Sequence, residues 1–381
     1  MTSFSDLGLS AALLSAIEKS DYKTPYPIQM AAIPAVLAGK DILGIAQTGS
    51  GKTASFVLPI LQQFQQKKPA RSRFIKALVL VPTRELAGQV GDVFKQFGAQ
   101  LPRPVKSLAV FGGVSINPQM IQLQGVEVLV ATPGRLLDLV DNNALQLSDL
   151  DILVLDEADK MLNLGFKEEM NRIFALLPSR RQNLLFSATL GKDIDTITEM
   201  LLHDPVKIAI EAEEETLDTI NQVAYRVTDE RKGPLLRYLI RENGLKKVLV
   251  FASSVYKVDN IVHKLKINGI VALALHSEKS QGARTDALRY LKSGEIDVLV
   301  ATDLASRGID IPDLPTVINY ELPRSPKDFI HRIGRTGRAG KLGDAISFVT
   351  AEDEHHFKVI QKKMGKRVEF VETEGFNLHG Y

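Results

Sequence analysis

Short apolar runs rich in Val, Ile and Leu recur along the chain, each followed by a polar cluster and then by a stretch of helical periodicity. In the first half they are KALVLV (76–81), VEVLVAT (126–132), DILVLDEAD (151–159) and NLLFSAT (183–189). In the second half they are KVLVFASS (247–254), DVLVATD (297–303), TVINYEL (316–322) and AISFVT (345–350). A strand apolar at consecutive positions is covered on both faces, so the runs predict parallel sheets sandwiched by helices. IEAEEETLD (210–218) separates the two sets, is acidic without apolar periodicity, and reads as a linker. EVLVATPGR (127–135) also echoes DVLVATDLASRG (297–308), as two related domains would. The pattern therefore predicts an α/β protein of two tandem domains with a cleft between them. Its predicted parts are residues 1–207, an acidic linker 208–218, a second domain 219–366 and a short tail 367–381.

The length of 381 residues suits two cores, and 45% apolar with 24% charged residues is the balance of a soluble globular chain. No apolar run approaches the roughly 20 residues of a membrane span. The start, MTSFSDLGLS, lacks the basic and apolar segments of a secretory signal. Without cysteine, disulfides and thiolate metal sites are excluded. These features give a cytoplasmic, soluble reading. The net charge of +2 says little, but Lys+Arg exceed Asp+Glu by 26 to 20 over residues 219–381. Whether that excess is solvated surface or a nucleic-acid face depends on where the basic residues lie.

Ligands of open parallel sheets bind beyond the carboxyl ends of the strands, where PTRE, TPGR, DEAD, SAT, ASS and ATD all fall. After the apolar DILGI comes AQTGSGKTASF (46–56), a phosphate-loop pattern. Small residues there let the backbone N–H groups of Gln47, Thr48, Gly49, Ser50 and Gly51 face phosphate oxygens at a helix N-terminus. Lys52 is placed to reach the β- and γ-phosphates and Thr53 to ligate Mg²⁺. Asp156 closes the strand ILVL as a second Mg²⁺ ligand, and Glu157 is placed to deprotonate the attacking water. HRIGRTGRAG (331–340) spaces three arginines by three. It reads either as a basic surface patch or as arginine fingers, Arg335 and Arg338, for a γ-phosphate.

Taken in order, these segments resemble the DEAD-box RNA helicases of superfamily 2, over about residues 4–350. They are YKTPYPIQ (22–29), AQTGSGKT (46–53), PTREL (82–86), GG (112–113), TPGR (132–135), DEAD (156–159), SAT (187–189), VFASS (250–254), QGAR (281–284), ATDLASRGID (301–310) and HRIGRTGR (331–338). Within the family the chain is similar to compact bacterial members like RNA helicase E. The resemblance implies two RecA-like domains, ATP and Mg²⁺ as cofactors, and RNA held by sequence-independent backbone contacts as partner. It further implies a monomer working with ribosome-assembly or RNA-decay partners. Gln29 would read the adenine edge, beside Tyr22, with Phe4 stacking on the base. Ser187 and Thr189 would link the ATP site to RNA through Asp159, with His331 as their second-domain partner. Gly308 and Asp310 would meet the ribose. Thr83, Arg84, Gly113, Gly134, Arg135, Arg284, Thr302 and Arg307 would grip RNA phosphates and 2′-hydroxyls. The chain departs from the family at Asp21, where Gly is usual, at Asn163, where Asp is frequent, and at His276-Ser277-Glu278-Lys279, where His-Gly-Asp-Lys is common. None of these removes a catalytic group.

The expected cycle is RNA-stimulated ATP hydrolysis with local, poorly processive unwinding. Two other readings share much of the motif set: a DNA-directed superfamily 2 motor, and an ATP-gated RNA clamp that does not unwind. His355 and His356 read as a solvated helix face rather than metal ligands.

Overall fold

A computed structural model describes residues 2–20, 22–46, 49–67, 73–210, 219–306, 314–337 and 342–381. The chain divides into two compact units, Met1–Ala212 and Glu213–Tyr381. The strands of the first are β1 (Ile42–Ile45), β2 (Ala77–Leu80), β3 (Ser107–Val110), β4 (Val128–Ala131), β5 (Ile152–Leu155), β6 (Gln182–Ser187) and β7 (Val206–Ala209). The second holds β8 (Ile220–Arg226), β9 (Val248–Phe251), β10 (Ala272–Leu275), β11 (Val298–Ala301), β12 (Thr316–Asn319), β13 (Gly343–Val349) and β14 (Glu369–Glu372). Their orders are β3-β4-β2-β5-β6-β1-β7 and β10-β11-β9-β12-β13-β8-β14, the same permutation twice. Every pairing among these strands is parallel, so all carboxyl ends in a sheet lie along one edge. Each unit is a RecA-like α/β domain.

Alternation along the central strands explains their unbroken apolar sequences. Val128 and Val130 of β4, with Ile152 and Val154 of β5, face one buried cluster, while Leu129, Ala131, Leu153 and Leu155 face another. In the second unit Val248 and Val250 face one layer and Leu249 and Phe251 the other. Each such side chain contributes roughly 1.5–3 kcal/mol by leaving water, and helices on both faces supply the cover. Gly44 interrupts β1 for a packing reason. It pairs in register with Phe186, and a Cβ there would stand 2.5 Å from the Phe186 ring.

Residues 367–381 are more than a tail. β14 pairs with β8, and the segment after it lies back on the helix Asp229–Glu242. Arg231 donates to the Thr373 and Phe376 carbonyls, and Arg237 to that of Tyr381. The Phe376 and Tyr381 rings both pack on Tyr238. Among the described residues no helix is long and apolar enough to cross a membrane.

Candidate nucleotide and nucleic-acid sites

In the first unit, β1, β5 and β6 are adjacent, and their carboxyl ends carry one connected polar site. The chain leaves β1 through Gly49 (φ 89°) and Gly51 (φ 87°), left-handed conformations that favour glycine. A side chain at Gly51 would also collide with the Gln29 amide at 2.6 Å and the Tyr26 ring at 2.8 Å. The helix Lys52–Gln65 starts there with no acidic residue in its first turn, leaving its positive dipole end open to an anion. Lys52 is buried and its Nζ donates to the Ala46 carbonyl at 2.9 Å. Thr53, the next residue, is half-buried. Gln47 and Thr48 lie outside the described residues.

Gln29 is fully buried, and both ends of its amide are engaged. It donates to the Gly51 carbonyl at 2.9 Å and accepts from the Tyr26 N–H at 3.0 Å. Phe4, expected to stack on a base, is 5% exposed and packs in the core edge-on to Tyr22, so little of it is open to a base in this structure. Tyr22 in turn packs on Phe97. The aromatic beside the phosphate loop is instead Tyr26, 48% exposed.

Asp156 ends β5 almost fully buried. Burial pushes its carboxyl up to about 6; the Lys52 ammonium opposes this and the Glu157 carboxylate adds to it. Its Oδ1 makes no hydrogen bond to a described residue. Glu157 holds a left-handed backbone (φ 55°) at the start of the helix Ala158–Asn163, a conformation that costs of order 1 kcal/mol or more for a residue with a side chain. The Lys160 ammonium is 2.6 Å from its Oε1. From β6, Ser187 donates to the Thr189 carbonyl at 2.7 Å, and the Thr189 hydroxyl donates to Asp159 Oδ2 at 2.9 Å. The Ala46 N–H donates to the Ser187 carbonyl at 3.0 Å, which ties this chain of bonds to the phosphate loop.

The donor set fits a hard divalent cation held by few protein oxygens. One buried carboxylate, Asp156 after β5, has a spare oxygen, and Thr53 supplies a hydroxyl from the helix that follows β1, two strands away in the same sheet. Among the described residues no group of three His, Asp or Glu forms a cage. Such a site suits Mg²⁺, which keeps most of its waters and shares substrate phosphates.

A second group follows β2, β3 and β4. Thr83 caps the helix Arg84–Gly98, its hydroxyl accepting from the Leu86 N–H at 3.2 Å. Arg84 lies directly on Gly113 (φ 75°), where a Cβ would be 2.0 Å from the guanidinium. Arg135 is buried, donates to the Val114 carbonyl at 2.8 Å and pairs with Asp138, yet its Nη1 has no partner among the described residues. Gly134 lies in the first turn of the same helix, Pro133–Asp141, and faces open space. Gln119, absent from the sequence-based expectations, bonds both the N–H and the carbonyl of Phe111 and so shapes the Gly112–Gly113 loop.

In the second unit, Arg284 is buried in the helix Gln281–Ser293, Thr302 follows β11 half-buried, and His331 is exposed on the helix Pro326–Ile333. Arg335 follows that helix, half-buried. Arg332, first of the arginine triplet, has another use. It clamps Asp303 with two bonds of 2.5 and 2.7 Å, bonds Asn319 and the Glu321 carbonyl, and lies over the Phe251 ring. Arg307, Gly308, Asp310 and Arg338 lie outside the described residues, as does Asp21. His356 Nε2 is 2.7 Å from the Pro323 carbonyl.

Comparison with known proteins adds a further finding. Residues 26–197 match the DEAD/DEAH box helicase family, and residues 231–340 match the helicase conserved C-terminal domain. The chain is 41% identical over 374 residues to the ATP-dependent rRNA helicase RRP3 of Gibberella zeae, covering 97% of this chain and 76% of that protein. It is 40% identical over 370 residues to the ATP-dependent RNA helicase CshA of Listeria monocytogenes, covering 97% and 70%. Among solved structures it is similar to S. cerevisiae Dbp5 bound to RNA and ADP BeF3, with a TM-score of 0.84 and 29% identity over 100% of this chain and 98% of that one.

Proposed function

The chain belongs to the DEAD-box family of ATP-dependent RNA helicases, and on that premise we propose how its residues divide the work. ATP is taken up at the carboxyl ends of β1, β5 and β6. The loop 46–53 cradles the phosphates, with Lys52 swinging from the Ala46 carbonyl to the β/γ-phosphates, and Gln29 reads the adenine edge. Thr53 and Asp156 would hold Mg²⁺, which supplies neutralising charge to the phosphates. Glu157 takes the proton of the attacking water. RNA phosphates and 2′-hydroxyls are gripped by Thr83, Arg84, Gly113, Gly134 and Arg135 of the first unit and by Arg284, Thr302 and Arg307 of the second. Arg335 and Arg338 stabilise the departing phosphoryl charge, His331 partners the Ser187–Thr189 pair, and Gly308 and Asp310 meet the ribose. The protein acts as a monomer in the cytoplasm, opening short structured stretches of RNA for ribosome-assembly or RNA-decay partners.

The observation that carries this reading is the continuous bond path from the phosphate loop through Ser187 and Thr189 to Asp159, beside the buried Asp156. A nucleotide that moves the loop at Ala46 therefore pulls on the segment linking β6 to the acidic tetrad. The test is steady-state ATP hydrolysis with no nucleic acid, with single-stranded RNA, and with single-stranded DNA of matched sequence. Stimulation by RNA alone is expected. Equal stimulation by DNA would overturn the RNA assignment while leaving the phosphate chemistry in place.

A further inference from the structure

At the β14 edge of the second sheet, the helix Glu354–Met364 and the strand enclose an open groove of about 850 Å³. Its lining includes Arg226, Lys358, Lys362, Lys366, Arg367 and Phe370. Residues 358–367 hold five cations and no carboxylate. Arg226 is already committed: it pairs with Glu354 at 2.9 Å and with Glu372, and lies over the Phe370 ring at 4.5 Å. Lys358, Lys362 and Arg367 are exposed and make no ion pair with a described residue. Glu369 is the only lining carboxylate outside the Arg226 pair, so the groove keeps a net positive charge.

A plain account exists for part of this. Lysines in the last helical turn complement the negative end of the helix dipole, which covers Lys362 and Lys363. It does not cover Lys358, one turn earlier, nor Arg367, beyond the helix. Lys358 and Lys362 stand four residues apart on one helix face, about 5–6 Å from each other. Gly365 (φ 68°) then turns the chain so that Lys366 and Arg367 line the same groove. The result is a row of cations, of which Lys358, Lys362 and Arg367 pair with no described acid. Its aromatic ring, Phe370, is taken up by Arg226, so the groove suits phosphates rather than bases.

We propose that this groove is a second RNA site, taking the phosphodiester backbone of a strand that extends beyond the helicase motifs. The proposal rests on the RNA-helicase reading. The groove is set apart from the motif residues that follow β11, since β14 lies five strands away, about 24 Å across the sheet at ~4.8 Å per strand. The helix Pro326–Ile333, by contrast, packs through Phe329 on Phe357 at the back of the groove helix. Only RNA longer than the motif footprint would engage it, and it would bind without sequence preference.

The experiment is fluorescence anisotropy on the full chain, with oligouridylates of about 8 and about 25 nucleotides titrated from 50 to 200 mM salt, comparing the parent with K358Q/K362Q/R367Q. Three phosphate contacts to a single strand add about 2 to the salt slope, or about 16-fold in affinity over that range. The parent should show that extra slope on the long RNA alone, and the variant should lose it while keeping short-RNA binding and short-RNA-stimulated ATP hydrolysis. K264Q/K266Q, which removes two exposed lysines elsewhere on the unit, should leave the slope unchanged. Equal slopes for parent and triple variant on long RNA would overturn the inference alone, as would an equal loss in K264Q/K266Q. So would tighter capture of an acidic decapeptide that long RNA cannot displace. Failure of the parent to bind either RNA would overturn the helicase reading as well.

Discussion

The two units thread their strands in the same order but end them differently. β1 runs into glycines and a helix whose first turn has no acid. Its positional counterpart β8 runs through Val227 and Thr228 into a helix whose first turn holds Asp229 and Glu230. The first end attracts phosphate and the second repels it. The same contrast recurs one strand pair away. Asp156, after β5, is pushed up to about 6 by burial and keeps a free oxygen. Glu321, close after the matching β12, is also raised by burial, but Lys257 and the Ser253 hydroxyl and N–H outweigh that and leave its carboxyl lowered. One carboxylate keeps an oxygen with no partner among the described residues; the other is paired with a cation of its own chain. A shared topology thus fixes where groups can sit, and the neighbouring side chains decide which of them remain available.

The sharpest way to break this comparison is to neutralise one carboxylate in each sheet. Glu157→Gln should lower kcat by about 10²–10⁴, the usual weight of a general base, with ATP and RNA binding retained. Glu321→Gln should leave kcat within about twofold, yet weaken the second unit by on the order of 2 kcal/mol, since Lys257 and Ser253 lose a charged partner. Single-turnover kinetics and urea unfolding of both variants separate the two effects. Comparable loss of turnover in both would mean that Glu321 itself takes part in the chemistry.

A smaller effect tests the electrostatics of Asp156. Its folded-state value near 6 exceeds the ordinary 3.8, so the native state binds more protons between those values, and stability falls as pH rises through that window. Above pH 6 the whole cost is present, about 3 kcal/mol for about 2 pH units. Asp156→Asn should therefore stabilise the nucleotide-free, metal-free first unit by up to about 3 kcal/mol at pH 7.5, a gain that vanishes below about pH 4. Urea unfolding of parent and variant at both pH values measures it. A gain independent of pH would remove burial of the charge as its cause. The window has the opposite sign for Glu321, whose lowered carboxyl stabilises above its unfolded value and loses that contribution as pH falls.

How much of this was legible follows from which faces are buried. The interior strands β2, β4, β5, β6, β9, β11, β12 and β13 are legible because helices cover both faces and leave unbroken apolar runs. β3, β7, β10 and β14 leave no such run because they are sheet edges, and β8 because it is half-exposed next to one. β7 (VKIA) and β14 (EFVE) carry charges on exposed positions, which erases the apolar signal and blunts the edge against unwanted pairing. In the site, residue types tied to one chemistry were visible: the glycines, Lys52, and the acidic pair at the end of β5. Residues whose work is to hold another group were not. Tyr26, Gln119 and Lys160 look ordinary in sequence, and Arg332 hides in a motif that suggests catalysis while serving as the buried clamp on Asp303.

Lys160 gives the finest test of availability against commitment. Its ammonium lies 2.6 Å from Glu157, whose side chain is buried, so without ligands even the carboxylate proposed as the base is partly committed, as Glu321 is to Lys257. A carboxylate oxygen already accepting from an ammonium is less free to accept from an attacking water. If RNA-driven rearrangement frees Glu157, the restraint matters only before RNA arrives. Lys160→Met should then raise RNA-independent ATP hydrolysis about two- to fivefold, the equivalent of roughly 0.5–1 kcal/mol for a partly exposed pair, and leave the RNA-saturated rate nearly unchanged. Lys257→Met, the matching change in the second unit, should move neither rate. A drop in both rates for Lys160→Met would mean instead that the lysine aims the carboxylate for catalysis, and the resting pair would then be a productive geometry rather than a restraint.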